Sequence, residues 1–247
     1  MQLHLDTSDI FIPDGLALEA ALARTTHMAI SAHQDDIEIM AAAPILECYQ
    51  QPDRWFTGVV LSDGRGSPRD GLYKDYDDET MRLVRFKEQR KAAVIGEYAA
   101  QVILDHPSKV IKDSTNRQPV EDIATLLLAA RPQKLYGCEV WRDLDWMVDS
   151  DKVGFDLSAH ESLQAALLGV FDSQIAGGKR YDLASMGRRK ANATYFASHN
   201  VDATLGLAYA MDLTPLVLDL GRDIGAFVQE HIQRFAQDVA DRINRVG

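Results

Sequence analysis

From Thr26 to Val140, short apolar runs alternate with helical patterns, and this alternation constrains the fold more than any other feature of the chain. Residues 26–32 read as a short buried strand, and residues 37–50 follow as a helix with Ile37, Met40, Ile45 and Cys48 available for packing. A second strand is expected over 55–61, a long helix over 81–100, a third strand over 101–104, a helix over 120–130 and a fourth strand over 134–140. Strands that alternate with helices imply an α/β fold with a mostly parallel sheet, right-handed crossovers and helices on both faces.

Residues 158–172 and 181–195 read as further helices, the second with Arg188, Arg189 and Lys190 opposite Leu183, Met186 and Ala193. A late strand is expected over 205–211. Over 223–245, Ile224, Phe227, Val228, Ile232, Phe235 and Val239 form one stripe, so this amphipathic helix is expected to cover the sheet or a partner subunit, and a homo-oligomer stays open. Residues 62–79 and 141–156 fit no regular element, and each follows an expected strand. In open α/β sheets ligands bind beyond the carboxyl ends of the strands, which makes these loops candidates for binding. No repeat or linker divides the chain, so one domain is expected over 1–247.

The chain has 247 residues, enough to bury a large core without disulfides, and Cys48 and Cys138 form no framework. With 37 acidic residues against 26 basic ones, the net charge of −11 argues against a nucleic-acid partner, which needs a basic surface. No apolar run approaches the length of a membrane span, and no secretory pattern opens the sequence, so a cytoplasmic location is expected.

The segment Ala32-His33-Gln34-Asp35-Asp36-Ile37-Glu38 crowds ionisable side chains into a strand-to-helix turn. A divalent metal ion would compensate that crowding, because imidazole and carboxylate at i and i+3 can converge on one cation. A neighbouring carboxylate could then take a proton from water. The alternative is that Asp35 or Asp36 caps the helix, where a carboxylate satisfies free N–H groups.

This segment resembles the opening motif of the LmbE/PIG-L family of zinc-dependent N-deacetylases, a small residue followed by His-Pro-Asp-Asp-x-Glu, with Gln34 standing where the family has proline. The family's pattern continues in a Gly-containing turn after a strand, here Ser62-Asp63-Gly64-Arg65-Gly66, and in a helix of the form Arg-x-x-Glu-x-x-x-Ala-x-x-x-Gly, here Arg85, Glu88, Ala92 and Gly96. The likeness covers residues 26–174, ahead of a C-terminal helical segment over 181–245, and implies a Rossmann-like fold. It implies His33 and Asp36 as zinc ligands and Asp35 as general base. His160, at the start of a later helix, matches the third ligand, with His106 and His199 in reserve. Leu157 and Ala159 stand where the family's His-x-Asp-His motif has its first histidine and its aspartate.

Arg142, in Trp141-Arg142-Asp143-Leu144-Asp145-Trp146, is a candidate to stabilise the oxyanion in their stead, with the tryptophans free to stack on a sugar. The same loop also reads as a surface segment anchored by buried tryptophans. Arg65, Arg69 and Arg85 are candidate substrate contacts, with Arg85 alternatively pairing only with a helix neighbour. The function expected from the resemblance is removal of an N-acyl group, acetyl in the first instance, from an amino sugar or related small molecule. The alternative is a zinc-binding protein of the same fold that has lost hydrolysis and binds a ligand or partner.

Overall fold

A computed structural model describes residues 1–132, 134–196 and 199–246. In chain order the elements are β1 (Asp9–Phe11), α1 (Leu18–Ala23), β2 (His27–Ser31), α2 (Asp36–Met40), α3 (Ala42–Cys48), β3 (Phe56–Ser62), α4 (Asp78–Ile95), β4 (Ala100–His106), α5 (Ser108–Ile111) and α6 (Gln118–Ala130). Then follow β5 (Tyr136–Gly137), β6 (Val153–Asp156), α7 (Glu161–Gly169), α8 (Asp172–Ala176), α9 (Tyr181–Phe196), β7 (Leu207–Asp212), α10 (Thr214–Leu218) and α11 (Ile224–Val246).

The fold is α/β with a mostly parallel main sheet. Its order is β1-β4-β3-β2; β2, β3 and β4 run parallel and β1 joins β4 antiparallel. Every residue of β4 is buried, as befits a parallel strand covered on both faces. Val60 and Ile103 face a core built with Ile37, Ile45, Phe86, Leu163 and Leu167 from α2, α3, α4 and α7. Their strand neighbours Val59, Val102 and Leu104 point the other way, onto Ala21, Leu22 and Leu126 of α1 and α6.

The expected fourth parallel strand is not there. Only Tyr136 and Gly137 of that stretch are strand, and they pair antiparallel with β7 in a second sheet of order β5-β7-β6. The strand that follows α6, β5, already belongs to that second sheet, and β2 ends the main sheet on its side. The expectations also missed β1 and β6, both too short for alternation to stand out, and joined α2 to α3 across the break at Ala41. Arg189, expected on a solvated face, is 5% exposed, whereas Leu183 is 61% exposed. On α11, Phe227 is buried and packs with Leu144, Met147 and Met211, while Ile224, Ile232, Val239 and Ile243 stay exposed. The stripe therefore covers only one small cluster of this chain.

The N-terminal segment is tied to the body at the far edge of the main sheet. His4 Nδ1 lies 2.9 Å from Asp122 Oδ1 and His4 Nε2 lies 3.1 Å from Glu121 Oε2, while the buried His106 Nε2 holds the other Asp122 oxygen at 2.9 Å. The hydrogen bond to Asp122, followed by the charges of Asp122 and Glu121, raises the pKa of His4 above 6.5. Because the folded value is raised, this tie is complete below the ordinary histidine pKa and is lost as pH rises through the raised one. A proton NMR titration is expected to find His4 titrating above 6.5, with Asp122→Asn removing the elevation; an unshifted His4 in the wild type would contradict the tie.

Candidate active site

The crowded motif lies beyond the carboxyl end of β2, where the chain turns into α2. His33 N–H donates to Asp36 Oδ2 at 2.9 Å, and the His33 ring nitrogen Nδ1 lies 3.5 Å from the same oxygen. The His33 side chain is 59% exposed, and its pKa is raised, first by Asp36. Ser31 Oγ donates to the His33 carbonyl at 3.0 Å, fixing the turn.

Asp35 sits at φ 87°, in the left-handed region, where a non-glycine residue costs about 1–3 kcal/mol. A buried cation offsets that cost. Arg85 of α4 is 1% exposed and donates to Asp35 Oδ2 at 2.7 Å and to Glu88 Oε2 at 2.6 Å. Burial pushes the Asp35 carboxyl up to about 6, against the pull of Arg85. Asp35 Oδ1 makes no hydrogen bond among the described residues, so one oxygen of this carboxylate is left to act on a ligand. Glu88 in turn accepts from Ser173 N–H at 2.7 Å and Ser173 Oγ at 2.9 Å, clamping the start of α8 to α4.

Gln34 takes the place of a proline by turning inward. Its Nε2 donates to the Ser62 carbonyl at 2.9 Å, and Gly64, at φ 69°, leaves it room: a Cβ there would meet Gln34 Oε1 at 2.6 Å. Glu38 turns away from the motif into a buried network, accepting from Tyr98 Oη and Gln89 Nε2, each at 2.8 Å. Burial pushes its carboxyl up to about 8.

His160 is not brought to the His33–Asp36 pair. Its ring meets that of Tyr49 at 5.2 Å, and the neighbouring Cys48 Sγ lies 3.3 Å from His27 Nδ1, where β2 begins. His33 lies six residues further along the chain, about 20 Å for extended backbone. The helix α7 runs toward the motif, so its far end, leading into Ser173, reaches Arg85 and Glu88 while His160 stays behind. Of the reserve histidines, His106 is buried against Asp122 and His199 lies in an exposed turn. Among the described residues no three histidine, cysteine or acidic side chains converge as a metal site. Among the described residues no strand pairs with β2 on its outer edge.

The arginines also differ from expectation. Arg85 orients Asp35 and is too buried to meet a substrate. Arg65 is held by Asp63 at 2.9 Å, and Arg69 pairs with Asp78. Arg142 is exposed and makes no ion pair among the described residues. On either side of it, Trp141 and Asp143 line a cleft open to solvent, whose other walls include Tyr181, Ser185 and Arg188 of α9 and Tyr209 of β7. Trp146 is the anchored tryptophan, donating from Nε1 to Glu139 Oε1 at 3.1 Å. Gln89, Ser173 and Tyr181 went unread in the sequence. Gln89 had a signal, since it lies one turn after Arg85 on the same helix face; Ser173 and Tyr181 are brought in by tertiary structure alone.

Residues 28–143 match the family described as PIG-L: GlcNAc-PI de-N-acetylase. This segment is similar to the PIG-L family. The PIG-L segment supplies His33, Asp35, Asp36, Arg85 and Glu88, and it ends at Asp143, before His160, Ser173 and Tyr181. No curated protein sequence matches the chain. Among solved structures, an N,N'-diacetylchitobiose deacetylase from Pyrococcus horikoshii superposes with a TM-score of 0.54 at 11% identity, covering 82% of this chain and 88% of that one. The pseudoaglycone deacetylase of the antimicrobial reagent A40926 gives 0.56 at 14%, with 76% and 97% covered. A 4-carboxy-2-hydroxymuconate hydratase from Pseudomonas putida gives 0.53 at 15%, with 76% and 96% covered. At these identities the likeness is one of fold, and a fold that carries both a hydratase and deacetylases does not by itself set the reaction.

Proposed function

We propose that the corner formed by His33, Asp35 and Asp36 hydrolyses an amide, removing an N-acyl group, acetyl in the first instance, from an amino sugar or related small molecule. The observation that carries this reading is that the segment matching the de-N-acetylase family is the one that builds the corner at the carboxyl edge of the sheet. Asp35, its Oδ2 held by Arg85, takes a proton from the attacking water on Oδ1 and returns one to the leaving amine. Arg142, exposed in its loop and unpaired among the described residues, is the guanidinium proposed to meet the developing oxyanion.

The zinc ion implied by the resemblance would find two donors here, His33 and Asp36, where a catalytic zinc takes three protein ligands and a water. The residues present do not complete that set. His33→Ala and Asp36→Ala are expected to lower whatever zinc the protein takes up, and His160→Ala to leave it unchanged; loss of zinc in His160→Ala would restore that histidine as a ligand. The same shortfall favours a second reading, a chain of this fold that binds its ligand without hydrolysing it. Acetate release from a panel of N-acetylated sugars, with and without added zinc, separates the two: release supports the hydrolase, and binding without release supports the module.

A further inference from the structure

We propose that the cleft between α9 and the 139–143 loop binds a ring that carries an anionic group, a carboxylate or a phosphate, with Trp141 against the ring and Arg188 against the charge. The inference rests on the hydrolytic reading of the adjacent corner, because it names what the acylated amine would look like. The cleft and the corner share a helix: Ile39 and Met40 of α2 line the cleft, and α2 begins at Asp36. Tyr181, on the cleft wall, feels the charges of Asp35 and Asp36.

The ring is called for by the aromatic walls. Trp141 is 60% exposed, an unfavourable state for so large an apolar surface, and its ring lies 5.2 Å from that of Tyr181 at a 49° tilt. Tyr209 forms the facing wall. A flat ligand entering there would cover Trp141.

The sign of the charge follows from which side chains are already occupied. Glu139 accepts from Leu144 N–H at 2.8 Å and from Trp146 Nε1, and Asp143 Oδ2 accepts from Asn192 Nδ2 at 2.7 Å. The cations are less well matched. The Arg188 side chain is 44% exposed and, among the described residues, its one ion pair is with that same Asp143 oxygen, at 3.6 Å. Arg189, buried at the cleft floor, donates to the carbonyls of Glu38 and Ile39 and to Gln164 Oε1, all neutral acceptors. In a chain of net charge −11, two arginines line one cleft, Arg188 exposed and Arg189 held only by neutral acceptors, beside carboxylates whose oxygens already hold N–H donors, and this makes a local site for an anion.

Calorimetric titration of the full chain with N-acetylglucosamine, N-acetylglucosamine 6-phosphate and N-acetylmuramic acid tests this at low salt. The two charged sugars are expected to bind about tenfold tighter than the neutral one, the scale of one charge-assisted contact. Arg188→Gln, checked for an unchanged melting temperature, is expected to bring the three within about twofold of each other, and Trp141→Ala to weaken all three. If only one charged sugar shows the preference, the proposal holds for that anion alone. Equal affinities, no binding of any sugar, or a preference that survives Arg188→Gln would overturn it. Acetate release from all three sugars without a charge preference would sink this inference and leave the hydrolytic reading standing. A charge preference that depends on Arg188, without acetate release, would do the reverse.

Discussion

Replacing Arg85 by alanine is expected to cost about 3–5 kcal/mol of folding stability, the range for removing one partner from a buried ion pair. Arg85 is 1% exposed and its guanidinium bridges Asp35, Glu88 and Ser173. Without it two buried carboxylates face each other uncompensated, and the left-handed turn at Asp35 loses the contact that offsets its strain. The clamp from Glu88 to Ser173 would loosen as well, freeing the start of α8 from α4. Urea denaturation measures the effect; a loss below about 1 kcal/mol would mean that Arg85 does not organise the corner. Arg85→Lys is expected to recover only part of the loss, since an ammonium keeps the charge but cannot reach both carboxylates in the fork geometry of a guanidinium.

Asp35→Asn is expected to lower turnover by roughly 10²–10⁴ while the protein stays folded. The amide oxygen can accept the Arg85 hydrogen bond in place of Oδ2, and Arg85 keeps its pair with Glu88, so the local structure has no reason to collapse. What disappears is the ability to take a proton. Turnover equal to wild type would remove Asp35 from the reaction, and unfolding of the variant would mean that its charge serves stability alone.

The main sheet was legible because its strands are buried on both faces and read as continuous apolar runs, as at Val59-Val60-Leu61 and Val102-Ile103-Leu104. The motif after β2 was legible by its own crowding of ionisable side chains, since β2 is an edge strand and only partly buried. The second sheet was not: Tyr136 and Gly137 look like the start of another buried strand, and nothing local says that they pair backwards with Leu207–Asp212, some seventy residues on. The third donor was sought by counting from a helix start. That count could not tell which end of α7 faces the motif, a fact fixed by the contact of Ser173 with Glu88 and of His160 with Tyr49. Arg189 was misplaced because periodicity ranks charge outward, whereas this guanidinium caps the carbonyls of Glu38 and Ile39 from inside. For Arg85 the spacing to Glu88 makes the helix pair legible, and the structure has it, whereas its burial and its bond to Asp35 come from tertiary structure.

The activity proposed for the His33–Asp35–Asp36 corner is hydrolysis of an N-acyl bond. Its most direct test is acetate release by the wild-type chain and by Asp35→Asn, measured side by side on the same N-acetylated amino sugars with zinc supplied. The wild type is expected to release acetate and the variant to lose about 10²–10⁴ of that rate; equal release by both, or none by a folded wild type that binds the sugar, would contradict the proposed hydrolysis.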